Sequence, residues 1–256
     1  MLAVERRKRI LEKVLKEKKV IVSDLSKLYQ VSEETIRRDL EKLAEEGHVI
    51  KSYGGAVVNE ITNIDLPFNI RWKSNSLGKQ RMAELISREI NDGDHIFLDS
   101  STTAVFIAKN IKKKKQLTII TNSIETLLEL SDVSGWDILA TGGILKPGSM
   151  SLLGKKAAES IECYNADKMF FSCKGFDVEK GVTDGTEEMG SIKQSMIKSS
   201  ARVYLAVDSS KFDKIAFCNI CDLSRLDVVV TDKRPSERLM NAFAEHNIEC
   251  IYPEEQ

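Results

Sequence analysis

Apolar residues recur at helical spacing near the start of the chain. Ile10, Leu11, Val14 and Leu15 form one stripe, with the basic cluster Arg6–Arg9 on the other faces. The stretch "KKVIVSDLSKLYQ" predicts a second helix, capped by Ser23, favoured by Asp24 in its first turn, and turning Leu25 and Leu28 inward. After the break "QVS", Ile36, Leu40, Leu43 and Ala44 repeat at i, i+4, i+7 and i+8, which marks the buried stripe of a third helix. Ser32 is its expected N-cap and Gly47 its expected C-cap. Val49-Ile50 and Ala56-Val57-Val58 then read as two short strands joined through Gly54-Gly55.

The pattern changes beyond residue 58. Residues 59–76 show no strong period and are expected to be a linker and the lead-in to a second domain at 77–256. From Leu77 onward, helices such as "KQRMAELISREI", "TTAVFIAKNI", "IETLLEL" and "KKAAESIE" alternate with strands such as "HIFLD", "LTIIT", "WDILAT", "KMFFS", "VYLAV" and "LDVVVT". Continuous apolar strands alternating with amphipathic helices predict a mostly parallel sheet covered on both faces, an α/β domain.

The two halves suggest different chemistry. Three helices and a hairpin within 1–58 follow the winged helix-turn-helix plan, in which the third helix enters the DNA major groove. On that plan Ser32, Thr35, Arg37, Arg38 and Lys42 face outward from the third helix. Lys51 and Tyr53 lie on the wing, placed to touch backbone. In the second domain, ligands are expected at the carboxyl ends of the strands. The residues there are Asp99, Ser100, Ser101, Thr102 and Thr103; Thr121, Asn122 and Ser123; Gly142 and Gly143; Cys173, Lys174 and Gly175; and Asp208, Ser209, Ser210 and Lys211. Hydroxyl-rich loops that open helices offer N–H and O–H donors to an anion, and Lys174 and Lys211 could neutralise it. A phosphorylated polyol fits this inventory better than an apolar ligand does.

Charge sharpens the division. The whole chain carries a formal net charge of −1, yet residues 1–59 hold 13 Lys/Arg against 10 Asp/Glu, and the remainder holds 25 against 29. A basic head on an acidic body fits a polyanion partner for the head alone. No apolar run is long enough to cross a bilayer, and the charged N-terminus does not read as a signal peptide. Five cysteines without framework spacing fit a reducing cytoplasm. Cys218 and Cys221 lack the second ligand pair of a structural zinc site, and His48, His95 and His246 are scattered, so no metal is expected. "TGGILKPGS" lacks the Gly-Lys-Ser/Thr ending of a P-loop, and no cofactor is expected.

The segments "VSEETIRRDLEKLAEEG" and "YGGA" resemble the winged helix-turn-helix of the DeoR family of bacterial transcription regulators, and "PFNIRWKSNSLGKQRMA" through "DSSKF" resembles that family's effector domain. The resemblance implies a fold shared with ribose-5-phosphate isomerases and CoA-transferases. It implies a pocket lined by "DSSTT", "TNS", "TGG" and "DSSK", with Arg71 and Lys79 helping to hold a phosphate. It departs at Ser101, where the family usually has Gly, and at Lys174, where it often has Asp; the second change favours a more anionic or keto-type ligand. The expected function is repression of a carbohydrate operon under the control of a sugar phosphate. The expected partners are operator DNA, that effector, and further copies of the chain in a homodimer or homotetramer. The rival expectation is a sugar-phosphate isomerase with an appended head, using Asp99, Asp177, Asp184 or Asp208 as its base.

Overall fold

The computed structural model of the chain describes residues 1–45, 48–58 and 68–254. Contacts divide the chain into two compact units, Met1–Leu66 and Pro67–Gln256.

The first unit runs α1 (Ala3–Glu17), β1 (Lys19–Ile21), α2 (Val22–Tyr29), α3 (Glu33–Glu45), β2 (Val49–Ser52) and β3 (Gly55–Val58). Ile10, Leu11 and Val14 meet Leu25, Ile36, Leu40 and Leu43 in its core, all nearly inaccessible to solvent. Each such side chain contributes about 1.5–3 kcal/mol by leaving water. Three details differ from expectation. Arg6 is not on an outward face: it is buried, and its Nε donates to Asp39 Oδ2 at 2.5 Å, with Arg7 3.6 Å from the other carboxylate oxygen. Leu28 does not face inward but is 57% exposed; it stands about 60° round the helix from Leu25. Ser23 does not cap α2, because the helix begins one residue earlier, behind Ile21. The cause is β1, which pairs antiparallel with β3 through Val20 and Ala56 and so fixes where the helix starts. The Gly47 cap lies outside the described residues.

The wing is therefore a three-stranded sheet of order β1-β3-β2. β2 and β3 pair from Val49 with Val58 to Ser52 with Gly55, leaving Tyr53-Gly54 as the two-residue turn. Gly54 has φ +75°, in the left-handed region. A Cβ on Gly55 would lie 2.0 Å from the carbonyl oxygen of Val20.

The second unit opens with α4 (Phe68–Lys73), inside the segment whose sequence showed no period, and α5 (Ser76–Glu89). Then come β4 (His95–Leu98), α6 (Thr102–Ile111), β5 (Thr118–Thr121), α7 (Ile124–Leu130), β6 (Asp137–Ala140), β7 (Ile144–Lys146), β8 (Ser151–Leu153) and α8 (Lys155–Glu162). They are followed by β9 (Ala166–Phe171), β10 (Gly175–Asp177), β11 (Gly181–Asp184), α9 (Glu187–Lys198), β12 (Ser200–Ala206), β13 (Cys218–Cys221), β14 (Val228–Val230), α10 (Glu237–Glu245) and β15 (Glu249–Ile251).

Seven of these strands make one sheet of order β15-β14-β12-β9-β4-β5-β6, parallel throughout. Successive β4 residues serve opposite faces: Ile96 and Leu98 join the cluster with Met82, Ile86 and Ile107, while Phe97 joins that with Met196, Ile161 and Phe243. Both faces are covered, as the apolar runs required. Order reverses between β4 and β9, since β5 and β6 extend to one side and β12, β14 and β15 to the other. Such a reversal leaves a crevice beyond the carboxyl ends of the two strands. A small antiparallel sheet, β10-β11-β13, and the hairpin β7-β8 complete the unit.

Candidate functional sites

Ser32 caps α3: its Oγ accepts from the Thr35 backbone N–H at 3.2 Å and lies 2.9 Å from Thr35 Oγ1. With Ile36, Asp39, Leu40 and Leu43 buried, Arg37, Arg38 and Lys42 are left exposed. The two arginines are not equivalent. Arg37 reaches back one turn to Glu33 at 2.7 Å and lies 3.9 Å from Glu34. Arg38 makes no ion pair or hydrogen bond among the described residues, although its charge helps hold the Glu41 carboxyl below the ordinary range, mainly after Lys51. Lys51 bonds Glu41 at 2.9 Å and so ties the wing to α3, while Tyr53 stands fully exposed at the wing tip. The arrangement presents one unencumbered guanidinium, two hydroxyls and an aromatic tip on one unit.

In the second unit the strand-end loops form three polar groups. At the β4–β9 reversal, Asp99 accepts from the backbone N–H of Ser101 and of Ser172, each at 3.1 Å. Lys193 of α9, which the sequence reading missed, extends its ammonium into this junction. It donates to Asp184 Oδ2 at 2.5 Å and Ser172 O at 2.6 Å, and lies 3.4 Å from Asp99. Burial opposes charge on both partners, but Lys193 holds the Asp184 carboxyl below the usual range, and Asp184 and Asp99 push the lysine above its own. The Cys173 thiol is buried alongside and raised by desolvation.

The second group is cationic. Lys79 is buried and donates to the carbonyls of Arg71 and Ser74, both at 2.5 Å. Burial depresses its pKa to about 8; Asp208 opposes this, while Lys211 and Arg71 add to it. Arg71, Lys79, Asp208 and Lys211 therefore share one electrostatic neighbourhood. Asp208 accepts from the Ser210 backbone N–H at 3.0 Å and caps the turn Ser209–Lys211.

The third group lies beyond β4 and β5. Asn122 Nδ2 approaches Ser100 Oγ at 3.4 Å and donates to Leu152 O at 3.2 Å, and Leu152 N donates back to Asn122 O at 2.7 Å. Hairpin β7-β8 is thereby fastened to the end of β5. Its turn reaches α4, where Phe68 N donates to Gly148 O at 3.0 Å and Arg71 to Ser149 O at 3.4 Å.

Several expected pocket residues are placed as caps or packing. Ser101 caps α6 through Ala104 N at 3.0 Å, and Ser123 caps α7 through Thr126 N at 3.1 Å. Thr102 and Thr103 are buried in the first turn of α6. Gly142 and Gly143 lie beyond β6, toward the sheet edge, where a Cβ on Gly143 would meet Leu153 O at 2.6 Å. A Cβ on Gly175 would likewise lie 2.4 Å from Lys214 O. A groove of about 460 Å³ lined by Phe68, Trp72, Val105, Lys109 and Leu128 contains none of the strand-end residues. Among the described residues no cluster of three or more His, Cys, Asp or Glu could hold a metal, and no helix is long and apolar enough to cross a membrane.

Two family descriptions match the chain: "DeoR-like helix-turn-helix domain" over residues 6–62 and "DeoR C terminal sensor domain" over residues 74–233. The chain belongs to the DeoR family. It is 40% identical over 91% of its length to the uncharacterized HTH-type transcriptional regulator YulB of Bacillus subtilis, covering 90% of that protein. It is 32% identical over 96% of its length to the putative aga operon transcriptional repressor of Escherichia coli O157:H7, covering 93% of it. Among solved structures, the ribose 5-phosphate isomerase A of Methanocaldococcus jannaschii aligns over 54% of this chain and 55% of its own, with a TM-score of 0.40 and 14% identity. This DeoR-family chain is thus a helix-turn-helix transcription regulator with a sensor domain. The two positions expected to depart from the family pattern have structural counterparts. Ser101 adopts φ −76° as the α6 cap, so a side chain there is unstrained. Lys174 turns toward the 184–185 loop, where a Cβ on Gly185 would lie 2.2 Å from its Nζ, and its charge helps keep Asp184 ionised.

Proposed function

We propose that this DeoR-family regulator represses a carbohydrate operon, and that a sugar phosphate bound to its second unit changes its affinity for operator DNA. In this reading residues 1–58 bind DNA and 77–256 sense the ligand. Ser32, Thr35, Arg38 and Lys42 meet the major groove, with Arg37 held partly in reserve by Glu33, and Lys51 and Tyr53 meet backbone at the wing. The ligand occupies the crevice at the β4–β9 reversal, its phosphate drawn by Arg71, Lys79 and Lys211. The observation that carries the sensing half is Lys79, which is buried and has its pKa depressed first by burial and then by Lys211 and Arg71 nearby: an incoming phosphate stabilises the charged form of such a lysine. One head offers few base contacts, so a dimer or tetramer on a two-fold operator is part of the proposal. Ligand control also requires different ligand affinity in the DNA-binding and released states.

The isomerase-like alternative needs a carboxylate base. Each carboxylate in question is already engaged: Asp99 with two backbone N–H groups, Asp184 with Lys193 and Gly185 N, Asp208 with Ser210, and Asp177 with Glu179 N and Lys180 N. Asp99 and Asp184 use both carboxylate oxygens in these contacts, which supports the regulator reading over a base at either of them.

The test is fluorescence anisotropy on DNA fragments from upstream of the protein's own gene and neighbouring operons, at fixed salt. Sugar phosphates and their unphosphorylated parents are added in turn. Release of one specific fragment by a phosphate and not by its parent is the expected result. Fragments that all bind like random DNA would sink the reading of the head, and a specific fragment that no sugar phosphate affects would sink the reading of the effector.

A further inference from the structure

The polar pair Ser100 and Asn122 has unused hydrogen-bonding capacity. Asn122 is 1% exposed and Ser100 4%. The Asn122 amide has its orientation fixed, because Leu152 O can only accept and therefore faces Nδ2. That leaves Oδ1 buried with no hydrogen-bond partner. The Ser100 hydroxyl is poorly used as well: its own contact is with Met189 Sδ at 3.8 Å, a weak acceptor, and the Asn122 amide reaches it only at 3.4 Å. A buried acceptor left without a donor costs about 1–3 kcal/mol, so the unpaired Asn122 Oδ1, beside a Ser100 hydroxyl held only by long, weak contacts, is most simply explained by an absent partner.

The chemistry of that partner is constrained. A phosphate oxygen or carboxylate only accepts and would repel Oδ1. An ammonium only donates and would leave Ser100 Oγ without an acceptor. A hydroxyl does both: it donates to Asn122 Oδ1 and accepts from Ser100 Oγ. We infer that Ser100 and Asn122 together read a hydroxyl group of the bound ligand, and that this contact, rather than the phosphate, decides which sugar phosphate the pocket accepts. The inference rests on the sugar-phosphate reading of the pocket given above. A site built to bond a hydroxyl rejects the analogue that lacks it, because its own polar groups are then left unpaired. The cationic group around Lys79 offers no such discrimination, since every phosphate ester satisfies it.

Calorimetric titration of the full chain tests this with ribose 5-phosphate, glucose 6-phosphate, glycerol 3-phosphate and inorganic phosphate as probes. The readout is the affinity ratio between the tightest organic phosphate and inorganic phosphate. Asn122→Ala should lower that ratio roughly 10- to 100-fold and Ser100→Ala roughly 3- to 10-fold. Ser100→Ala keeps the Asn122–Leu152 bond, so it decides the matter if Asn122→Ala does not fold. A ratio unchanged in Ser100→Ala and in any folded Asn122 variant overturns the inference while the pocket stands. Binding of inorganic phosphate as tightly as every ester by the unaltered chain also overturns it, as no hydroxyl is then being read. Absence of binding by all four probes removes the pocket reading itself, and this inference with it.

Discussion

Arg37 and Arg38 are neighbours in sequence and differ in what holds them. Arg37 must give up Glu33 before it can meet a phosphate or a base, whereas Arg38 has no ion pair among the described residues to give up. Arg38→Ala is therefore expected to weaken operator binding about 10-fold or more and to lower the salt slope by about one unit. Arg37→Ala should cost less. Anisotropy titrations at several salt concentrations check both, and equal losses would show that the Glu33 pair does not persist in solution. Lys79 yields a pH prediction. Its pKa is held down to about 8, first by burial, and an anion bound nearby raises it. Ligand binding near pH 8 should therefore take up protons, and affinity should fall as pH rises through that value. Calorimetry in buffers of different ionisation enthalpy measures the sign, and net proton release would contradict it. The strand-end loops were legible as a set from their hydroxyls and glycines. Lys193 was not, because a lone lysine on an amphipathic helix reads as solvent-facing. Its one signal is register: with Met189, Ile192 and Met196 buried, position 193 falls within the apolar stripe.

Elements were legible where a long amphipathic period coincided with a good cap. The helices anticipated over 102–111, 124–130 and 155–162 have those same bounds, and two of the three start behind a serine that caps them. What escaped was short or non-local. β1, β7, β8, β10, β11 and β13 have three or four residues each. β4, β5 and β14 are no longer than these but are apolar runs, whereas β1 and β13 exist because a distant strand pairs with them and β7-β8 and β10-β11 because a short turn folds each strand onto its neighbour. β1 shows the consequence, since its pairing with β3 moves the start of α2 and leaves Ser23 inside the helix. Arg6 was misplaced for a similar reason. Its partner Asp39 lies 33 residues away on α3, and nothing in the α1 pattern reveals an inward charge. Removing one member of a buried pair strands the other, so Arg6→Ala is expected to cost on the order of 3 kcal/mol, softened by Arg7. Denaturant unfolding followed by helix signal tests this, and a loss below about 0.5 kcal/mol would mean that Asp39 finds water instead.

At the scale of the whole molecule, the parallel sheet followed from the alternation of strands and helices, whereas its order reversal emerges only in the structure; together they set where ligand chemistry can gather. The same topology governs how the chain comes into being. β4 lies at the centre of the finished sheet, yet it is the first of the seven strands to be synthesised. β5 can cover one of its edges soon afterwards, at residues 118–121, but the other edge waits for β9 at 166–171. At elongation speeds of about 5–20 residues per second, the gap of some 70 residues lasts several seconds. Throughout it an apolar strand with one open edge is exposed on the ribosome, the condition under which nascent chains stick to one another or recruit chaperones. Arrested nascent chains should accordingly show no protease-resistant second unit until Phe171 has cleared the exit tunnel. Resistance appearing once only β4 through β6 have emerged would mean that this half-sheet folds alone.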